Sequence, residues 1–222
     1  MNIQELESRI DQLTDPEVEA DDNLLDDILL FAKSDEDGFS AFVNSQELGH
    51  SSCLPVLYEA LMDDAKGWEP FLLSQLKRVI HFCETVDSDE DDASLLYYLT
   101  CIDGLNRAFY HSSIELLRDK LASKSLPLRK AALEYIVELI ARDQSCITND
   151  LSRQLHRELT DENFEIRLNA FIYLKEENLL PPGHKQSFTD WIRTKVSPAY
   201  RQHLELKRIG ALVAKENIRG KY

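Results

Sequence analysis

Apolar residues recur every three or four positions along most of this chain, the spacing that gathers them on one face of an α-helix. Ile3, Leu6, Ile10 and Leu13 mark a first amphipathic helix, ended by Thr14-Asp15-Pro16-Glu17. Leu24 to Ala32 predicts a second, with Asp26 and Asp27 on its wet side, and Phe39, Phe42 and Val43 a short third before Gly49. Leu54, Leu57, Tyr58 and Leu61, then Leu72, Leu76, Val79 and Ile80, predict an antiparallel pair over 53–61 and 71–82, joined around Gly67-Trp68. One helix over 95–109 follows, with Leu96, Tyr97, Leu99, Ile102 and Leu105 facing inward. Near the end, Pro181-Pro182-Gly183 breaks the pattern. Phe188, Trp191 and Ile192 form a short amphipathic segment, and Ser197-Pro198 opens a last helix running to Ala214.

Between Phe109 and Asn178 the pattern occurs twice. A shift of 38 positions lays Phe109, Ser113, Leu117 and Leu121 on Ile147, Leu151, Leu155 and Leu159. After a short break, Leu126, Leu128, Ala132 and Ile136 fall on Phe164, Ile166, Ala170 and Leu174. Arg129 meets Arg167, Tyr135 meets Tyr173 and Glu138 meets Glu176. Each copy predicts a helix, a tight turn and a second helix. A hairpin of this size cannot bury its apolar face alone, so the period implies stacking. Ala132 and Ala170 are the small residues that let paired helices approach, and both are expected to be buried.

The second copy, Asp161-Glu162-Asn163-Phe164-Glu165-Ile166-Arg167 followed by Ala170 and Leu174, resembles the turn and second helix of HEAT-type repeats. The resemblance implies that Asp161 and Asn163 close the turn and that Arg167 reaches toward neighbouring turn acids. The first copy departs from that pattern, with Ser123 in the place of Asp161 and Ser125 in the place of Asn163, and Pro127 in the first turn of its second helix. The expected fold is all-α, an α-α superhelix of HEAT-like solenoid type with about ten or eleven helices. It is expected to form a single domain over 1–222: diverged acidic hairpins over 1–111, two HEAT-like repeats over 112–178, and a C-terminal cap over 179–222.

Composition agrees with a helical chain. Seven glycines and seven prolines in 222 residues leave little punctuation for many short strands. No apolar run approaches the ~18 residues of a membrane span, and the first residues show no secretory leader. Cys53, Cys83, Cys101 and Cys146 are widely spaced without a C-x-x-C pair, which predicts reduced core thiols and a cytoplasmic setting. Charge changes the picture more. The net charge is −15. Through His111 there are 25 acidic against 6 basic residues, and beyond it 15 against 19. Such polarity bears on association rather than on fold.

The chemistry-bearing motifs are few. Asp87, Asp89 and Asp91 have the opening spacing of a calcium loop, but Asp92 stands where that loop needs Gly and Tyr98 where it needs a bidentate Glu. No His is followed directly by Glu or Asp, unlike the ligand pairs of HEAT-like di-iron hydroxylases. Glu134 and Glu138 imitate an acid–base couple, yet Lys130 four residues earlier suggests a solvated, ion-paired face. No phosphate loop, nucleophile elbow or Cys/His dyad is present. The chain is therefore expected to be neither an enzyme nor a holder of metal or cofactor. Binding to nucleic acid needs uncompensated Lys and Arg, so no nucleic-acid partner is expected, nor a membrane one. The remaining class is a protein-binding module. Asp87, Asp89, Glu90, Asp91 and Asp92, together with Asp21, Asp22, Asp26 and Asp27, are expected to form a negative surface that steers a basic protein partner. Trp68 and Tyr98 are its candidate aromatic anchors, provided they are exposed. The most concrete version is an inhibitor or immunity-type protein masking a basic toxin nuclease. A repeat adaptor with a peptide-like partner is the alternative, and a HEAT-like enzyme a third.

Overall fold

The computed structural model describes residues 3–13, 23–48, 53–86, 90–102 and 104–181. Among them lie ten α-helices: α1 (Ile3–Leu13), α2 (Leu24–Ser34), α3 (Glu36–Ser45), α4 (Cys53–Glu59), α5 (Glu69–Thr85), α6 (Glu90–Cys101), α7 (Arg107–Arg118), α8 (Leu126–Arg142), α9 (Asn149–Glu158) and α10 (Phe164–Glu176). Short 3-10 segments at Met62–Trp68, Asp119–Ala122 and Gln144–Cys146 join some of them, and no strand occurs among the described residues. The fold is all-α. The chain divides into two compact units, Met1–Leu179 and Leu180–Tyr222. Of the second, only Leu180 and Pro181 are described, so the expected segment at Phe188–Ile192 and the terminal helix over 197–214 lie outside the described residues.

In the first unit α6 packs against α4 and α8, and α10 packs against α8. Helix α5 lies against both α6 and α7, and α7 lies against α8. Polar ties reinforce the α5–α7 contact at both ends. The Glu69 carboxylate accepts from the Asn106 backbone N–H at 2.7 Å and from its side-chain amide at 2.6 Å, while Lys120 Nζ reaches Glu84 at 2.7 Å. Arg118 of α7 pairs with Asp150 and Gln154 of α9. Helix α8 sits in the middle and buries nine side chains, Leu128, Leu133, Ile136, Leu139 and Ile140 among them. Each such aliphatic group removed from water contributes about 1.5–3 kcal/mol.

The two copies occupy equivalent places. Ala132 and Ala170 are both 0 % exposed, as are Leu128, Ile136 and Leu174. The turns also match. Ser125 N–H donates to Ser123 Oγ at 3.2 Å, as Asn163 N–H donates to Asp161 Oδ1 at 2.7 Å. Leu128 N–H donates to Ser125 Oγ at 3.4 Å, as Ile166 N–H donates to Asn163 Oδ1 at 3.3 Å. Serine hydroxyls thus fill the capping roles that Asp and Asn fill in the second copy. Pro127 enters the first turn of α8 where no N–H partner is needed. Helix α10 ends at Glu176, ahead of the Pro-Pro-Gly break, with Asn178 at φ 57° accepting the left-handed conformation that closes a helix.

Two expectations are corrected. The single helix over 95–109 is two, because Gly104 turns the chain at φ 79° and the Asn106 side chain caps α7 by accepting from Ala108 and Phe109 N–H. The helical pair of the acidic half is α5 with α6 rather than α4 with α5: a 3-10 segment replaces the loop around Gly67-Trp68, and α5 lays its longest contact on α6. Lys130 also reaches across to α10, where it pairs with Glu165 at 2.7 Å.

Candidate functional site

The residues expected to steer a partner are only partly placed. Asp21, Asp22, Asp87 and Asp89 lie outside the described residues. Glu90, Asp91 and Asp92 begin α6. Asp26 is exposed in the first turn of α2. Its neighbour Asp27 is engaged by Arg9 at 2.7 Å.

Trp68 is no anchor. It is 5 % exposed and sits edge-on to Phe39 and Phe71, with ring centroids 5.4 and 5.6 Å away. Glu69 and Pro70 follow it in the first turn of α5, which fixes the indole over α3. Tyr98 is half-buried and stacks edge-on with Tyr97 at 5.8 Å. Tyr97 is the exposed member of that pair, at 46 %, and its other neighbour is Tyr135 of α8 at 6.1 Å.

Following that aromatic contact across the helices leads to a site that sequence reading passed over. Between α8 and α10 runs an open groove of about 450 Å³. Glu134, Val137, Glu138, Ala141 and Arg142 form one wall, and Tyr173, Glu176 and Glu177 the other. The four carboxylates face one cation. Arg142 lies 3.7 Å from Glu138 and leaves a net negative lining. Tyr173 hydrogen-bonds to Glu134; burial and then the Glu134 charge push its phenol well above the usual tyrosine range, so it stays neutral as a donor. A second hollow of about 250 Å³ continues toward α6, bounded by Ala93, Ser94, Lys130, Tyr135 and Asn169 and sharing Glu134 and Tyr173. The face made by α6, α8 and α10 is therefore acidic, tyrosine-lined and indented.

The signal that would have found this groove was present in the repeat itself. Tyr135 and Glu138 recur as Tyr173 and Glu176 under the 38-residue shift. An apolar core explains why leucines recur. It does not explain why a glutamate recurs at 138 and 176, both in the lining of the groove.

At the opposite edge of the same helices is a half-buried charge cluster. Arg129 of α8 donates through Nε to Leu121 O at 3.0 Å and pairs through Nη2 with Asp161. Glu158, only 13 % exposed at its side chain, lies 3.7 Å from the same guanidinium. Burial, then the nearby Asp161 charge, push the Glu158 carboxyl up to about 7. Arg167 turns elsewhere: its Nη1 donates to the carbonyls of Asp161 and Glu162 in its own turn, at 2.8 Å for Glu162. Thus the arginine of one hairpin reaches the turn acid of the next through Arg129, while Arg167 braces its own loop.

Cys53, Cys83 and Cys146 are buried thiols outside any disulfide, and burial pushes the Cys146 thiol up, away from the reactive thiolate. Among the described residues no helix is long and apolar enough to cross a membrane. Comparison of the chain with protein-family models, curated proteins and solved structures returns no match. The family resemblance therefore rests on the repeat residues themselves.

Proposed function

We propose that the chain is a protein-binding module, a HEAT-like α-α superhelix whose acidic face masks a basic protein partner. The observation that carries this reading is the α8–α10 groove, where Glu134, Glu138, Glu176 and Glu177 outnumber Arg142 beside a neutral tyrosine. A lysine or arginine side chain suits such a place, with its aliphatic stem against Val137, Ala141 and the Tyr173 ring and its charge among carboxylates. The side-by-side row of α4, α6, α8 and α10 supports the superhelical arrangement, because stacked hairpins expose one helix of each pair on a continuous face. The acid-rich first half adds long-range attraction, which speeds encounter more than it tightens the complex. The most specific form is an inhibitor or immunity-type protein that occupies the phosphate-binding surface of a nuclease toxin, in the cytoplasm. A repeat adaptor gripping a peptide-like segment is the second reading, favoured by the apolar part of the same groove wall.

The test uses the full chain and two variants. One carries Glu134→Gln, Glu138→Gln and Glu176→Gln. The other carries Asn or Gln at Asp87, Asp89, Glu90, Asp91 and Asp92. A partner purified with the wild-type chain from its native host is mixed with each in stopped-flow at low and high salt. The reading expects the groove variant to dissociate faster and the run variant to associate more slowly with a flatter salt dependence. A partner that is neutral, and that binds all three chains alike at both salts, would replace the inhibitor with the adaptor.

A further inference from the structure

The pairing of Arg129 with two carboxylates has a consequence for how the second hairpin is held. Glu158 comes from α9, Asp161 from the turn into α10 and Arg129 from α8, so the cluster spans the seam between the two repeats. Arg167 of α10 donates to turn carbonyls, Lys130 of α8 pairs with Glu165, and Lys120 of the 3-10 segment pairs with Glu84. Two acids thus share one guanidinium in a place that is 13 % exposed at Glu158 and 19 % at Asp161.

We propose that Glu158, Asp161 and Arg129 form a proton-operated latch between α8 and the α9–α10 hairpin. With Glu158 neutral, the guanidinium serves Asp161 alone and the seam is closed. With Glu158 charged, two carboxylates compete for one cation inside a poorly hydrated gap, and the seam loosens. The step is a protonation equilibrium: one proton leaves the Glu158 carboxyl for water, and no covalent bond otherwise changes. The sign follows from the upward displacement of Glu158. An acid that holds its proton more tightly when folded contributes most below its ordinary range, near 4.5, and loses that contribution as pH rises through about 7. Because α8 and α10 are also the walls of the groove, the latch sets the width of that groove. This last link rests on the docking reading, whereas the latch itself does not.

The experiment follows the carboxyl carbons of the full-length protein by NMR across pH 4 to 8.5, with Glu158 assigned by its loss in Glu158→Gln. In parallel, amide exchange of α10 is measured at pH 5.5 and 8 and corrected for intrinsic rates. The expected result is a Glu158 titration near 7, together with wild-type α10 amides that open more readily at pH 8 than at 5.5. Glu158→Gln should hold the low-pH protection at both values. Asp161→Asn should move the Glu158 titration downward, since it removes the competing charge. A Glu158 titration near 4.5 would overturn the latch. So would equal pH dependence in wild type and Glu158→Gln, or a change in protection spread evenly over α4 to α6 as well as α10. If the latch holds and a basic partner nevertheless binds with no pH dependence, the groove rather than the latch is at fault.

Discussion

Ahead of α8 the chain reads Ser123-Lys124-Ser125, and ahead of α10 it reads Asp161-Glu162-Asn163. The first residue of each turn accepts from the backbone N–H two positions on, and the third caps the helix. Neither backbone could be told from the other by those bonds. They differ in charge. Ser123 offers a hydroxyl and nothing more, whereas Asp161 offers a carboxylate that Arg129 of the preceding hairpin can reach. The comparison separates two properties that a repeat signature usually presents together. Closing the turn needs only an oxygen acceptor at the right place. Tying a turn to the preceding hairpin needs a charge at that first position, and of these two turns only the second carries one. The chain then overloads that tie by placing Glu158 on the same guanidinium.

The largest effect should come from removing the shared cation. Arg129→Ala leaves Glu158 and Asp161 facing each other, and should cost about 2–3 kcal/mol in urea unfolding at pH 7.5. The figure is below that of a fully buried pair because the guanidinium is 19 % exposed. Asp161→Ser, which transplants the first turn into the second, should cost clearly less, since Glu158 keeps Arg129 to itself. Equal losses in the two variants would mean that the acids do not compete.

Next in size is overpacking at the matched alanines. Both are fully buried, so Ala132→Leu and Ala170→Leu should each cost about 1–3 kcal/mol. Ala132 belongs to the central helix α8, which packs against α6, α7 and α10, and should sit at the upper end of that range. Glu165→Gln is the control: its side chain is 51 % exposed and its loss should leave the melting temperature nearly unchanged.

The caps should differ by less. Asn163 accepts from two backbone N–H groups, at 2.8 and 3.3 Å, and Asn163→Ala should cost about 1 kcal/mol. Ser125 accepts from one N–H, at 3.4 Å, so Ser125→Ala should cost about half as much. Thermal melts of the pair would order them. A larger loss at Ser125 would show that the serine turn depends on its cap more than the distances imply.

How much of this was legible in the sequence depends on the length scale of the cause. Apolar spacing places residues on a helix face, and the 38-residue shift compares one helix face with another, so the buried set of α8 and α10 was readable down to Ala132 and Ala170. Breaks decided by a single turn were not. Ile102 and Leu105 are both buried and keep helical spacing, and only Gly104 and the capping side chain of Asn106 distinguish two helices from one. Partner choice among charges was also hidden. Lys130 precedes Glu134 by four and so invites a local pair, but nothing in that spacing announces Glu165, 35 residues further along, which it meets at 2.7 Å. Trp68 failed for the same reason in apolar form, because its neighbours Phe39 and Phe71 come from two other helices.

The last expected effect has the opposite sign. Ser113 stands where the second copy has Leu151, and both positions are buried in the first helix of their hairpin. The Ser113 hydroxyl has no hydrogen-bond partner among the described residues, although a helical serine usually finds the carbonyl a turn behind it. A buried donor left unmade costs free energy that a methyl group would not. Ser113→Ala should therefore raise stability, by about 0.5–1 kcal/mol. Ser113→Leu tests the comparison from the other side. If the copies were interchangeable, leucine would be welcome there. Phe109 already fills its end of α7 where the second copy has the smaller Ile147, so the leucine should be overpacked and destabilising. Urea midpoints of the two variants decide it. A loss in Ser113→Ala would mean that the hydroxyl is bonded in solution, and a gain in Ser113→Leu would mean that the two hairpins are packed more alike than their sequences are.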